Sequence, residues 1–287
     1  MFGTALVSLD YSAAQGPLLE CLADLRGMGI TRVVLTHVIP VGYGQGASYG
    51  NRDMLAQWLH GRATPLRGAG LAVEVDIRAA GDVAQDILAA AAEHGADLIV
   101  IGSRGQNMVR GLFLGSVARA VIRNSALPVR LEWIEPAGGD AADACERTCQ
   151  GGLRRVLLAT DFSAQSQGAE QAAIALARLG AHVDVLHVLP AGGGRIYARW
   201  PGMAKAALAY IADDVRAAGG TAEAHLATGA AAAEIARIAG ERGSDLIIVG
   251  KHGQGWVARL ATGSTAARLC EIARRPVLMV PLPPNED

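Results

Sequence analysis

The chain has 287 residues, of which 51% are apolar, and a formal net charge of −1 at neutral pH. This length predicts about two domains, and the balanced charge gives no electrostatic basis for nucleic-acid binding. No apolar run is long enough to span a bilayer. Residues Met1–Val7 lack a basic region, so the sequence predicts no secretory signal.

The four cysteines are too few for a disulfide framework at this length. Cys21 and Cys270 lie in apolar helical patterns and are expected to be core thiols. Cys145 and Cys149 are four residues apart in a polar connector and could share a helix face as metal ligands. No histidine lies near them, so no metal site is predicted.

Strand and helix patterns alternate through the first half of the chain. Ser12 is a plausible N-cap for the first helix and Gly29 a plausible stop. Asp82 can cap a later helix. The patterns predict strands near 3–9, 31–38, 71–77, 97–101 and 128–133, and helices near 13–28, 52–68, 82–94 and 116–124.

The second half repeats the first. Val7-Ser8-Leu9-Asp10 matches Leu158-Ala159-Thr160-Asp161, and the offset between the copies drifts slowly along the chain, which indicates a duplicated domain. Strands are expected near 154–159, 182–188, 221–227, 245–249 and 276–280. The sequence therefore predicts a domain over 1–135, a linker over 136–152 and a second domain over 153–282.

Alternating buried strands and helices predict an α/β fold of two tandem Rossmann-like domains. Each is expected to be a mostly parallel five-stranded sheet with helices on both faces. The closing strands 128–133 and 276–280 would otherwise leave exposed edges, so the two domains are expected to pack as a pseudo-twofold pair.

A glycine-rich motif follows the fourth strand in each half. Gly102-Ser103-Arg104-Gly105 precedes Gly115-Ser116 by nine residues, and Gly250-Lys251-His252-Gly253 precedes Gly263-Ser264 by the same spacing. A glycine turn between a buried strand and a helix N-terminus can hold phosphate, because backbone N–H groups and the helix dipole face the anion. A larger side chain at Gly115 or Gly263 is expected to disturb binding but not folding.

These motifs, with the strand ends His37-Val38 and His187-Val188, resemble those of the universal stress protein family over nearly the whole chain. The resemblance implies binding of ATP or another adenine nucleotide, with or without Mg²⁺. It also implies a cytoplasmic regulatory role in the stress response without a dedicated reaction. A homodimer and a regulatory protein partner of unknown identity are expected.

The resemblance also implies the residues of both sites. Asp10 and Asp161 would lie near ribose and adenine, the backbone of Val38 and Val188 would read the adenine edge, and the glycine motifs would wrap ribose and phosphates. In the first copy the expected residues are Ser8, Leu9, Asp10, Val38, Ile101, Gly102, Arg104, Gly105, Gly115, Ser116 and Val117. In the second they are Ala159, Thr160, Asp161, Val188, Val249, Gly250, His252, Gly253, Gly263, Ser264 and Thr265.

Several assignments have a structural alternative. Asp10 could simply cap the first helix, and His37 and His187 are expected to be core histidines whose hydrogen bonds are satisfied. Arg104 and His252 could meet phosphate or only solvent. The functional alternatives are a weak ATPase or adenylate-forming enzyme on the same scaffold, and an interaction module that binds no nucleotide.

The first copy ends in Arg130-Leu131-Glu132-Trp133, where the family prefers a plain apolar strand, so an unusual pairing of this last strand is expected.

Overall fold

A computed structural model describes residues 2–10, 15–20, 22–41, 52–103, 114–136, 145–147, 152–191, 199–253 and 262–282. The chain divides into two compact units, Met1–Arg147 and Thr148–Asp287. The boundary falls within the segment predicted as a linker.

The first unit contains a five-stranded parallel sheet, as predicted. Its strands are β1 (Thr4–Ser8), β2 (Arg32–Pro40), β3 (Ala72–Ala80), β4 (Leu98–Gly102) and β5 (Val129–Glu132). They lie in the order β3-β2-β1-β4-β5. The middle strands are rich in buried Val, Ile and Leu, which is typical of parallel strands covered on both faces.

The helices of the first unit are α1 (Gln15–Glu20), α2 (Leu22–Leu25), α3 (Arg52–Gly68), α4 (Val83–Glu93) and α5 (Ser116–Asn124). Within the stretch predicted as a helix over 13–28, the described residues are helical in α1 and α2, and a 3-10 turn, Arg26–Met28, takes the place of the last three residues. Residues 13, 14 and 21 lie outside the described part of the chain. Gly27 disfavours a regular helix at this end. Gly29 ends the turn as predicted, with a φ of 86°.

A short antiparallel hairpin of β6 (Ile134–Pro136) and β7 (Cys145–Arg147) follows β5. The sequence did not predict this hairpin, and β7 lies inside the predicted linker. Three-residue strands are too short to show a side-chain period.

The second unit repeats the sheet with β8 (Arg155–Ala159), β9 (His182–Leu189), β10 (Thr221–Thr228), β11 (Leu246–Gly250) and β12 (Val277–Val280). Their order, β10-β9-β8-β11-β12, matches that of the first unit, and every pairing is parallel. The helices are α6 (Gln167–Arg178), α7 (Trp200–Ala217), α8 (Ala231–Arg242) and α9 (Ser264–Ile272). Helix α6 packs beside α7 and α8 beside α9, as expected when the two pairs cover opposite faces.

None of these helices is long and apolar enough to cross a lipid bilayer.

The polar residues of β5 form an ion pair within the strand. Arg130 and Glu132 point to the same side of β5, and Arg130 Nε donates to Glu132 Oε1 at 2.5 Å. Each side chain is only 1% exposed. Despite these charges β5 pairs with β4 in the same parallel register that β12 makes with β11.

A second buried charge lies at Asp184 in β9, whose side chain is fully buried. Arg155 and Arg242 each donate to it at 3.0 Å, and His225 lies at 2.9 Å. Burial acts to raise the pKa of the Asp184 carboxyl, but the hydrogen bonds from His225 and Arg242 and the charges of Arg155 and Arg242 together outweigh it, and the pKa is lowered. The ionised carboxylate therefore joins β8, β9, β10 and α8.

We expect Asp184→Asn to lower the free energy of unfolding by about 3 kcal/mol, because it removes the buried carboxylate that Arg155 and Arg242 share and leaves Arg242 only its pair with Glu223. Urea denaturation at neutral pH measures this loss. Asp213→Asn removes the partner of Arg216 from an exposed pair and is the matched control, with an expected loss below about 1 kcal/mol.

The stability lost by Asp184→Asn has a defined pH dependence. Because the folded pKa of Asp184 is lowered, its contribution is complete above its ordinary value of 3.8 and falls away at lower pH. The difference in stability between wild type and Asp184→Asn should therefore shrink on acidification below that value. A difference that grew on acidification would contradict this assignment.

Candidate functional site

The strand order reverses between two neighbouring strands in each unit, β1 and β4 in the first and β8 and β11 in the second. The connections leave these strands in opposite directions, so a crevice opens beyond their carboxyl ends. The end of β8, the end of β11 and the start of α9 meet at this point of the second unit.

A cavity of about 270 Å³ occupies the crevice of the second unit. All eleven residues predicted for the second copy line it: Ala159, Thr160, Asp161, Val188, Val249, Gly250, His252, Gly253, Gly263, Ser264 and Thr265.

Sequence reasoning missed six other lining residues: Ser166, Leu186, His187, Ala231, Ile235 and Ala266. Ala231 and Ile235 belong to α8, which follows β10 at the same edge of the sheet. The alternation of strands and helices could have indicated Ala231 and Ile235, because every helix that follows a parallel strand starts at this edge of the sheet.

The backbone of Val188 faces the cavity. Leu186 O accepts from Thr160 N on the β8 side, whereas Leu189 O accepts from Gly229 N on the β10 side. Backbone groups alternate in direction along a strand, so Val188 presents its N–H and C=O to the β8 side. Strand β8 has already ended at Ala159, and the cavity takes its place.

Asp161 lies on a turn directly after β8. Its Oδ1 accepts from Ser163 N at 3.1 Å and from Ser163 Oγ at 2.5 Å. Its Oδ2 lies against the glycine motif, because a Cβ on Gly253 would come within 2.5 Å of it. Glycine at 253 therefore permits a close approach between the motif and the carboxylate.

His187 and His37 are core histidines, as predicted. His187 Nδ1 lies 2.8 Å from Thr160 O, and His37 Nδ1 lies 2.8 Å from Leu9 O. Both rings are buried. Each ties the end of the second strand in its unit to the residue before the site aspartate, and the His187 ring also stacks on Phe162.

A backbone hydrogen bond closes the base of the second glycine motif. Gly263 N donates to Lys251 O at 2.8 Å. Gly263 is the N-cap of α9 and supplies no side-chain cap. The first-turn N–H groups of α9 have no partner within the helix, and its first residues line the cavity. The Lys251 side chain is buried, and this burial lowers its pKa.

A model of the universal stress protein family matches residues 1–131 and again 152–281. The chain belongs to the universal stress protein family. A universal stress protein from Archaeoglobus fulgidus is 24% identical with a TM-score of 0.74, and the match covers 99% of this chain and 97% of that one. A candidate universal stress protein from Pseudomonas aeruginosa is 18% identical with a TM-score of 0.62, over 98% and 94% of the chains. Both likenesses are of fold. No curated protein matches the chain.

The first family repeat brings its predicted residues to the same edge of its sheet. Ser8 ends β1 and is followed by Leu9 and Asp10, while Val38 lies in β2 and Ile101 and Gly102 end β4. Thr36 O accepts from Leu9 N, on the β1 side of β2. The backbone N–H and C=O of Val38, two residues after Thr36, point to that same side.

The start of α5 completes this edge in the first repeat. Gly115 is its N-cap, Ser116 and Val117 begin the helix, and Gly115 N donates to Ser103 O at 2.9 Å. Arg104 and Gly105 lie outside the described residues.

A group of possible metal ligands lies elsewhere in the second repeat. One atom each of His182, Asp184 and Glu223 falls within 4.8 Å of the others. Arg155 and Arg242 already donate to the Asp184 carboxylate, and Arg242 also pairs with Glu223. These two guanidinium groups already pair with the carboxylates that a metal ion would need. The three residues therefore belong to an ion-pair network.

The two N-cap glycines differ in their steric surroundings. Among the described residues, a Cβ on Gly115 would lie nearest to Ser103 O, at an ordinary 3.7 Å, whereas a Cβ on Gly263 would approach Lys251 O to 3.3 Å. On this geometry a Cβ is accommodated more easily at Gly115 than at Gly263, and the expectation that a larger side chain leaves folding unaffected stays a prediction for both.

We expect Gly263→Ala to lower the free energy of unfolding by about 1 kcal/mol more than Gly115→Ala does, from steric strain against a fixed carbonyl. The weaker N-cap preference of alanine is common to both variants and cancels in the comparison. Urea denaturation without nucleotide provides the measurement, and equal losses would show that the Lys251 carbonyl yields without cost.

Proposed function

We propose that this universal stress protein binds ATP as a regulatory ligand, with one site in each repeat. The observation that carries the proposal is the single cavity in which all eleven residues predicted for the second repeat converge. Its volume lies near the lower end of the range for small-molecule sites, about 300–1,000 Å³. The mixture of apolar strand ends, one carboxylate and backbone donors suits a base and ribose followed by phosphate.

The start of α9 is the proposed phosphate position. The N–H groups of its first turn and the positive end of its dipole favour an anion. Ser264 and Thr265 add hydroxyl donors at this end of the cavity. Asp161 would repel phosphate, and its place beside the end of β8 instead suits a hydroxyl donor such as ribose.

The backbone of Val188 is the proposed reader of the base. Its N–H can donate to N1 of adenine and its C=O can accept from the exocyclic amine. Guanine presents an acceptor in place of that amine and a donor at N1, so it would leave groups unpaired. An unpaired buried group costs about 1–3 kcal/mol.

We therefore expect ATP to bind at least about tenfold more tightly than GTP, since 1.4 kcal/mol corresponds to a tenfold change in affinity. Isothermal titration calorimetry of the full chain with each nucleotide measures the ratio. Equal affinities would remove the base-reading role from Val188 and from its counterpart Val38.

The glycine motifs are tested by Gly115→Val and Gly263→Val, alone and combined. A branched side chain at the N-cap would stand between phosphate and the first-turn N–H groups. Because stabilisation by a ligand follows occupancy, each single variant should reduce the ATP-induced rise in melting temperature and the double variant should abolish it.

The control for these variants is Gly240→Val, which places the same side chain on the exposed face of α8 with nothing within 4 Å of the added Cβ. It should keep the full ATP-induced rise. A double variant that also kept the rise would separate the motifs from phosphate binding and overturn the proposal.

A cytoplasmic location, binding of the nucleotide with or without Mg²⁺, a homodimer and the packing of the repeats as a pseudo-twofold pair stay predictions.

A further inference from the structure

The turn that carries Asp161 contains an unfavourable backbone conformation. Phe162 has a φ of 62°, in the left-handed region that residues other than glycine seldom adopt. Such a conformation is unfavourable for a residue with a side chain and persists where the surroundings hold it. Two contacts hold Phe162: its N–H donates to Thr160 Oγ1 at 3.0 Å, and its ring stacks on His187 with centroids 4.4 Å apart.

Thr160 can hold Phe162 only while its hydroxyl hydrogen points elsewhere. A hydroxyl has one hydrogen and two acceptor lone pairs. The Thr160 hydroxyl donates to Glu170 Oε1 at 2.6 Å, which leaves a lone pair for the N–H of Phe162. Ser166 Oγ lies 3.1 Å from Thr160 Oγ1, and its one hydrogen can go to Ser163 O at 2.8 Å or to the same carboxylate oxygen at 3.3 Å. Glu170 Oε1, at 2.6 Å, is the nearer acceptor for the Thr160 hydroxyl.

Glu170 is half-buried in the first turn of α6, beneath the cavity rather than in its lining. Burial raises the pKa of its carboxyl, and the nearby charge of Asp161 raises it further, while hydrogen bonds from Thr160 and Ser166 oppose the shift. A carboxylate so close to a site for an anionic ligand works against that ligand by charge. Its hydrogen bond to Thr160 is the contribution that favours the site.

We propose that Glu170 is a positioning residue for the nucleotide site of the second repeat. It fixes the Thr160 hydroxyl, and through it the turn that presents Asp161 to the cavity. This inference rests on the proposed function. The hydrogen bond between Thr160 and Glu170 has no counterpart in the first repeat. There the residue before the site aspartate Asp10 is Leu9, whose side chain has no hydroxyl.

The test uses the full chain with ¹³C-labelled histidine and ATP as the probe. His187 lines the second cavity, so its ring C–H cross-peak reports occupancy of that site, and His187→Gln assigns the peak. We expect Glu170→Ala to raise the Kd at this site about tenfold, through loss of a hydrogen bond to a charged group. Glu170→Gln, which can still accept from Thr160, should retain most of the affinity.

Two further sets of variants separate positioning from general destabilisation. Glu241→Ala removes an equal charge from an exposed pair on α8 and should leave the Kd unchanged. In a Thr160→Val background, Glu170→Ala should not raise the Kd further, because the hydrogen bond between Thr160 and Glu170 is already absent. If Glu170→Ala does not fold, Thr160→Val against Thr160→Ser tests the same bond.

The outcomes distinguish the inference from the function on which it rests. If ATP fails to move the His187 peak of the wild type, the proposed function fails at this site. The positioning role is overturned, while the nucleotide site stands, if ATP moves the His187 peak with the same Kd in wild type and Glu170→Ala. It is also overturned if Glu170→Ala raises the Kd as much in the Thr160→Val background as in the wild type.

Discussion

The site depends on the point at which two adjacent parallel strands end and the chain leaves them in opposite directions. At the end of β8 the backbone turns away, and the strand beside it, β9, runs on for three more residues. The backbone of Val188 then faces a crevice in place of a neighbouring strand. Polar backbone groups at the wall of an apolar crevice favour a ligand that can pair with them.

The remaining features of the second unit maintain this crevice. His187 joins β9 to the carbonyl of Thr160, and the bond from Gly263 to Lys251 fixes the start of α9 beside the end of β11. The buried carboxylate of Asp184 joins β8, β9, β10 and α8. These contacts join the strands of the sheet to one another and α9 to β11, so the lining of the cavity is held by the sheet.

Much of this arrangement could be predicted from sequence because the signals were local or repeated. Helices α3 and α5 occupy the predicted ranges, and the doubled glycine motif located both helix starts. The 3-10 turn Arg26–Met28 was missed because the apolar pattern continues past Gly27 to Met28. Ser166 reaches the cavity from the 3-10 turn before α6, and no motif in the sequence marks it. The left-handed backbone of Phe162 could not be predicted, since phenylalanine ordinarily avoids it.

Equilibrium dialysis of the full chain against radiolabelled ATP, with the bound amount counted per chain, tests the central claim most directly. If each repeat provides a site, binding should saturate at two ATP molecules per chain, and unlabelled ATP should displace the label far better than unlabelled GTP. A chain that retained no ATP at millimolar concentration, or released it equally to either nucleotide, would contradict the account.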